Sequence, residues 1–451
     1  MQNNHLRYVL FLALTAATGG LLFGFDVAII SGAGPFLVRQ FGLDDLSLGL
    51  AFSSLLFGCA IGAAVAGRIT DRFGRRRVLL VVALLFALTS AATGLAWSFH
   101  AFLGARFLGG LAVGAVSLVS PLYVSEISPP AWRGRLGALY QMSIVTGILA
   151  SYCINYLLRD AGADNWRWMF LTGVLPSVLF LVLLWLAPET PRWLVMAGRR
   201  DEAGAILRRS SDAAQASATL AAIGESLAGP RPGLRELWQP RLRPALFVGF
   251  WLAILIHVSG INTVIDYAPA IFQSAGWQLD AALLSTFVVG LTNFTFTAVS
   301  FWTIDRYGRR PLYIVGSLGM GLSLLALTVA VVLGRFHGPL VLALILAYLV
   351  FFCSCIGPVF WTLLPEIYPN DIRGTAMIVP VLTQWVANAL VVLFFPVALH
   401  RLGQGPTFGF LALMSLAQGL FMWRFVPETR GRTLEQIEDG WHGQVVQGGA
   451  P

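Results

Sequence analysis

The stretch Asp71-Arg72-Phe73-Gly74-Arg75-Arg76 returns 234 residues later as Asp305-Arg306-Tyr307-Gly308-Arg309-Arg310. Each copy ends one long apolar run and opens the next. Two further strings repeat at nearly the same interval. Glu126-Ile127 with Pro129 and Arg133-Gly134 matches Glu366-Ile367 with Pro369 and Arg373-Gly374, and Pro188-Glu189-Thr190 matches Pro427-Glu428-Thr429. Three matches in the same order predict two halves of common ancestry and like orientation. Parallel halves related by an axis along the membrane normal suit alternating access around a central site.

The apolar runs set the fold. The 451 residues are 57% hydrophobic and 12% charged. A soluble domain carries about 25% charge, so this chain cannot cover a water-facing surface of its size. The same figures exclude disorder, collagen and a disulfide scaffold. A bilayer-spanning helix needs roughly 20 apolar residues. Segments of that kind fall at 8–31, 47–69, 79–97, 101–123, 136–157 and 168–187, then at 243–266, 281–303, 312–334, 340–364, 376–397 and 407–425. The expectation is an all-α polytopic membrane protein with twelve transmembrane helices in two pseudo-symmetric six-helix bundles. The bundles are placed at 1–187 and 243–427. A linker with short helices over 188–242 and a tail over 428–451 are both expected on the cytoplasmic side.

Charge gives the orientation. The formal net charge is +8, and all 30 basic residues are Arg. They gather in the even-numbered connections: Arg68, Arg72, Arg75, Arg76 and Arg77; Arg133 and Arg135; Arg306, Arg309 and Arg310; Arg373. By the positive-inside rule these loops and both termini are cytoplasmic. The basic excess is therefore read as topology, and no nucleic-acid partner is expected. The run from Tyr8 reads as a retained first helix rather than a signal peptide. Cys59, Cys153, Cys353 and Cys355 lie in or beside apolar segments and read as packing residues. The 6 His are scattered, with only His257 well inside a segment. No nucleophile–base pair, metal-ligand spacing or nucleotide loop emerges, so neither an enzyme nor a cofactor is expected. A sensor is disfavoured for want of an output region.

The repeated polar strings have a physical task. They place guanidinium and carboxylate groups at cytoplasmic helix ends, where ion pairs can hold one conformation and break in another. Partly shielded networks can bias a two-state equilibrium although single surface pairs are weak. The expected gating set is Arg68, Asp71, Arg75, Arg76, Glu126, Arg133, Glu189 and Arg192 in the first half. In the second it is Asp305, Arg309, Arg310, Glu366, Arg373, Glu428 and Arg430.

Several longer strings make the resemblance specific. They are Gly19-Gly20-Leu21-Leu22-Phe23-Gly24-Phe25-Asp26, Pro188-Glu189-Thr190-Pro191-Arg192-Trp193-Leu194, Gly260-Ile261-Asn262, Gly357-Pro358-Val359-Phe360-Trp361 and Pro427-Glu428-Thr429-Arg430-Gly431. With the two Asp-Arg-x-Gly-Arg-Arg loops, the chain resembles the sugar porter family of the major facilitator superfamily from Gly19 to Glu438. The resemblance implies proton-coupled uptake of a monosaccharide or related polyol by a monomer, and the short loops point to the bacterial inner membrane. A proton-independent facilitator, or a carrier of a modified sugar or other small polar solute, is the alternative.

A neutral, hydroxyl-covered solute needs amide partners and an aromatic face, and amides inside a membrane need explaining. Gln141, Asn262, Asn293, Gln384 and Asn388 are such amides, and Trp361 and Trp385 supply aromatic surface. The resemblance places Gln141, Asn262, Asn293, Trp361, Gln384 and Trp385 near the sugar, with Phe23 lining the same cavity. It also pairs Asp26 with Arg106 for proton coupling; an intramembrane carboxylate is a functional candidate in its own right. In that scheme unprotonated Asp26 pairs with Arg106, a proton taken from outside loosens the pair, and sugar binding permits closure. The chain departs from the family where selectivity matters. Ile256 and His257 stand in place of two Gln, Asp266-Tyr267 in place of paired Tyr, and Ile356 in place of Trp. His257 is retained as a substitute solute ligand, and the departures weaken any assignment to glucose or xylose.

Overall fold

The computed structural model describes residues 2–128, 133–210, 213–228, 234–369 and 372–428, and within them the side chains other than those of 2–6, 133, 134, 210, 228, 234, 235, 241 and 305. Among these residues, twelve helical spans are long and apolar enough to cross a membrane. They overlap the twelve expected segments one for one. The chain divides into two compact units, Met1–Phe41 with Ser54–Pro230 and Gly42–Ser53 with Arg231–Pro451.

The first unit contains α1 (Gln2–Phe41), most of α2 (Asp45–Phe73), α3 (Arg75–Gly94), α4 (Phe99–Ile127), α5 (Arg133–Leu157), and α6 (Asn165–Leu171) continued by α7 (Val174–Leu186). α1 runs about ten residues past the expected end at 31. Its face stays apolar there, with Ala33 and Leu37 fully buried, and Pro35 is tolerated inside the span. The connection expected over 33–46 thus shrinks to a turn at Gly42 (φ +62°).

Glycine sets the approach of α2 to α4. A Cβ on Gly58 would lie 2.1 Å from the Phe107 carbonyl oxygen, and one on Gly110 would lie 2.0 Å from that of Leu55. Gly62 and Gly114 repeat the contact one turn on, at 2.3 Å and 2.1 Å from backbone oxygens. Small residues four apart on both helices let the backbones touch, which drives association where no hydrophobic effect operates between helices.

After the sixth span the chain forms α8 (Pro191–Met196), α9 (Arg200–Ser210) and α10 (Ala213–Ala228). These pack a small core of Trp193, Leu194, Val195 and Ala203 against Ile206, Leu220, Ile223 and Leu227. Short helices were the expectation for this polar stretch.

The second unit contains α11 (Arg243–Val258), α12 (Ile261–Asp266), α13 (Ala268–Ser274), α14 (Leu279–Tyr307), α15 (Arg309–Val332), α16 (Gly338–Phe351), a π-helical segment (Phe352–Ile356), α17 (Gly357–Glu366), α18 (Arg373–Ala376), α19 (Ile378–Leu402) and α20 (Gln404–Phe425). In this unit the seventh and tenth spans, expected to be continuous, are interrupted. The seventh breaks at Gly260, whose φ of +91° is left-handed and suits glycine. The Tyr348 hydroxyl donates to the Ser259 carbonyl at 3.1 Å, giving the broken turn a partner. The tenth span widens into the π segment, and Thr303 Oγ1 donates to the Ser354 carbonyl there at 3.2 Å. Irregular backbone at membrane depth needs such partners.

Candidate functional site

In the first unit α1 and α4 bring Asp26 and Arg106 together. Arg106 Nη1 donates to Asp26 Oδ1 at 2.7 Å and to the Asp26 carbonyl at 3.0 Å. Arg106 is 1% exposed and Asp26 9%. The guanidinium lies 5.4 Å from the Phe170 ring centroid, while its Nε and Nη2 have no hydrogen-bond partner. Gly109, one turn beyond Arg106 on α4, leaves room for the carboxylate: a Cβ there would stand 3.4 Å from Asp26 Oδ2. A buried ion pair with part of its donor set unsatisfied is expensive. Such a group inside a span is a candidate for a moving charge. Phe23 and Gln141, on α1 and α5 of the same unit, are half-buried.

The second unit makes polar contacts between separate helices. His257 Nε2 lies 3.4 Å from Gln384 Oε1, joining α11 to α19. Asn293 Oδ1 accepts from Thr297 Oγ1 at 3.2 Å and from Cys353 Sγ at 3.3 Å, joining α14 to the π segment. Asn262, two residues past the Gly260 break, is half-buried. Trp385 and Asn388 are buried, whereas Trp361 is 46% exposed and meets Phe360 edge-on at 5.4 Å. Asp266 is 4% exposed at the end of α12, beside Tyr267, whose hydroxyl donates to the Val392 carbonyl at 3.0 Å. Cys353 is buried and forms no disulfide, in keeping with a packing residue, and its thiol also donates to an amide. The sequence held no signal for this, because the contact depends on the π turn.

The repeated strings fold into two like clusters, one per unit. Arg75 Nη2 meets Glu126 Oε1 at 2.9 Å and Asp71 Oδ1 at 3.4 Å. Arg309 Nη2 meets Glu366 Oε1 at 3.1 Å. Glu189 does something the sequence reading missed. Its carboxylate accepts from the backbone N–H groups of Arg75 (2.9 Å) and Arg76 (3.1 Å), capping the N-terminus of α3. Glu428 does the same for α15, at 3.1 Å from Arg309 N and 3.0 Å from Arg310 N. A carboxylate at a helix N-terminus meets unpaired donors and the positive end of the helix dipole. The Arg76 guanidinium reaches the Leu184 and Trp185 carbonyls (3.0 and 2.7 Å), and Arg310 reaches that of Trp423. Gly74 (φ +97°) and Gly308 (φ +89°) make the turns. Arg192 acts on Glu126 electrostatically without a hydrogen bond. Arg373 donates to the Tyr368 carbonyl at 3.4 Å. Arg68 is exposed. The side chains of Arg133 and Asp305, and all of Arg430, lie outside the described residues.

A model described as "Sugar (and other) transporter" matches residues 12–441. The chain belongs to that family. As a sugar porter of the major facilitator superfamily it is 35% identical over 447 residues to the arabinose-proton symporter of Bacillus subtilis, covering 98% of this chain and 96% of that one. It is 37% identical over 475 residues to the D-xylose-proton symporter of Escherichia coli, covering 96% of both. The inward-open structure of the xylose transporter XylE from E. coli superposes with a TM-score of 0.86, covering 96% of this chain and all of that one at 35% identity. These likenesses establish a twelve-helix major facilitator fold of two six-helix bundles and a transporter rather than an enzyme.

Proposed function

We propose that this carrier takes up a monosaccharide or related polyol together with protons, by alternating access, in the bacterial inner membrane. The observation that carries the coupling is the buried Asp26–Arg106 pair at 2.7 Å. A carboxylate out of water exchanges charge for neutrality with its surroundings, since burial favours the neutral acid and a neighbouring guanidinium the anion. A conformational change that alters either influence changes proton affinity. Two homologous symporters of a pentose and a proton support the reading. Asp26 takes up and releases the proton, and Arg106 pairs with its unprotonated form. Phe23, Gln141, His257, Asn262, Asn293, Trp361, Gln384, Trp385 and Asn388 bind the solute.

The clusters around Arg75 and Arg309 act as the gating network, with Arg133, Asp305 and Arg430 as further members. The stretch 188–242 links bundles at 1–187 and 243–427, and 428–451 is a tail. Both termini are cytoplasmic and the carrier is a monomer. Ile256, His257, Asp266 and Ile356 favour a solute other than glucose or xylose.

The test is counterflow in proteoliposomes against hexoses, pentoses, inositols and sugar acids, with external pH recorded. Solute addition alkalinises the outside in the wild type. Asp26→Asn keeps exchange and loses the pH signal. Flux without alkalinisation assigns a facilitator instead, and no flux of any polyhydroxylated solute sinks the reading.

A further inference from the structure

Two amides of the second unit have their carbonyl oxygens already engaged by protein donors. Asn293 Oδ1 faces the Thr297 hydroxyl at 3.2 Å and the Cys353 thiol at 3.3 Å. A carbonyl oxygen has two lone pairs, so two donors saturate it. Gln384 Oε1 faces His257 Nε2 at 3.4 Å. That contact is attractive only with the proton on Nε2, because a bare Nε2 would set lone pair against lone pair. The other ring nitrogen agrees. His257 Nδ1 is sealed from solvent and has no hydrogen-bond partner. An orphaned buried N–H is rarer than an under-satisfied acceptor, so Nδ1 carries the lone pair and Nε2 the hydrogen. The reverse orientation of Gln384 would force the proton onto Nδ1 and strand it.

Asn293 has a parallel argument. Sulfur is a weak acceptor, so turning the amide would set its N–H₂ against a poor partner and lose the thiol's donation. Asn293 therefore has one free function left, the amide N–H₂, while Gln384 keeps its N–H₂ and one lone pair on Oε1. Trp361 adds an indole N–H group, which only donates.

We propose that the second unit recognises its solute by the solute's acceptors, and that His257 and Cys353 are the positioning residues that impose this polarity. This rests on the sugar-carrier reading and deepens it. The amides of Asn293 and Gln384 donate to oxygen atoms of the solute, and the doubly engaged Asn293 oxygen takes no hydrogen from its hydroxyls. The solute class favoured is one rich in acceptor oxygen at that end: a hydroxyl used through its lone pairs, a ring or keto oxygen, or the carboxylate of a sugar acid. His257 in place of an amide matters here. An amide beside Gln384 could turn either way, whereas an imidazole with one sealed nitrogen holds Gln384 in a single orientation.

Two measurements test it. The first needs no ligand. Protein with ¹⁵N-labelled histidine in lipid bilayers, with His257→Asn to assign the signal among the 6 His, reports the tautomer by solid-state NMR. The Nε2–H form is expected, and the Nδ1–H form overturns the proposal.

The second compares binding of D-glucose, D-xylose and each sugar that gives counterflow with the corresponding deoxy and deoxyfluoro analogues by tryptophan fluorescence. Fluorine can accept and cannot donate. At one or more ring positions the fluoro analogue should bind at least fivefold tighter than the deoxy analogue. Cys353→Ala should cut that ratio below twofold while the parent sugar still binds. A merely structural role would weaken all analogues alike. Equal loss for fluoro and deoxy analogues at every position overturns the proposal and leaves the sugar reading standing. Failure to bind either parent sugar, and any sugar in the counterflow panel, removes the sugar reading, and the tautomer then decides the amide polarity alone.

Discussion

Asp26→Asn leaves the shape of the ion-pair site nearly unchanged and removes one charge. The Asp26 carbonyl still accepts from Arg106 Nη1 at 3.0 Å, and the new amide oxygen can occupy the place of Oδ1. What is lost is the counter-charge of a guanidinium that is 1% exposed and has two nitrogen positions without partners. Breaking a buried pair by removing one partner costs about 3–5 kcal/mol. The retained carbonyl contact lowers the expectation to about 3 kcal/mol. Replacing both members by apolar groups of similar volume is often neutral or better. Asp26→Leu combined with Arg106→Met should therefore be at least about 2 kcal/mol more stable than Asp26→Asn alone. Unfolding of the purified protein in mixed micelles, followed by far-UV circular dichroism against denaturant, gives both figures. An Asp26→Asn cost below about 1 kcal/mol would refute the argument, because the carboxylate would not be compensating the guanidinium. The double variant should also move no protons in the liposome assay, which separates stability from coupling.

Other outcomes follow from the same geometry. Glu189→Gln and Glu428→Gln keep an acceptor at the starts of α3 and α15 but lose its charge, so each should cost about 1 kcal/mol by denaturant titration. The two values should be of similar size because each carboxylate accepts from the first two backbone N–H groups of its helix. Gly74→Ala meets a positive φ and sets a Cβ 2.3 Å from Glu189 Oε2. Gly110→Ala drives a Cβ to 2.0 Å from the Leu55 carbonyl, which is backbone and cannot swing aside. The second should be the worse, about 3 kcal/mol or more, seen as a lowered unfolding midpoint.

The acid limb has a local reporter in Glu202. Hydrogen bonds from Arg199 to both its oxygens, each at 2.6 Å, hold its carboxyl below the usual range. With the folded value depressed, the contribution is fully present above the ordinary glutamate value of about 4.3. It is lost as pH falls through the lower folded value. Hydrogen exchange in α9, corrected for intrinsic rates, should accelerate only below about pH 4, and Glu202→Gln should flatten that rise.

Much of the architecture is legible in the residues themselves. Twelve apolar runs in a chain with 12% charge leave no soluble alternative, and a membrane demands that each run satisfy its backbone internally as a helix. The duplicated Asp-Arg-x-Gly-Arg-Arg strings announce two related halves, and Asp26 stands out because a carboxylate in an apolar run calls for a reason. These signals are local or periodic, so a one-dimensional string carries them.

The tertiary structure decided what depends on atoms far apart in sequence. It extended α1 through Pro35, broke the seventh span at Gly260 and widened the tenth at Phe352–Ile356. A break is stable only where a distant group such as the Tyr348 hydroxyl satisfies the freed carbonyl. It turned Glu189 and Glu428 from presumed partners of arginine side chains into caps for helix backbones. It also set the Cys353 thiol against Asn293 and His257 against Gln384, contacts spanning 60 and 127 residues. Hydropathy and spacing record which groups are buried; which way a buried amide points is fixed by the donors that reach it, and only packing brings those donors there.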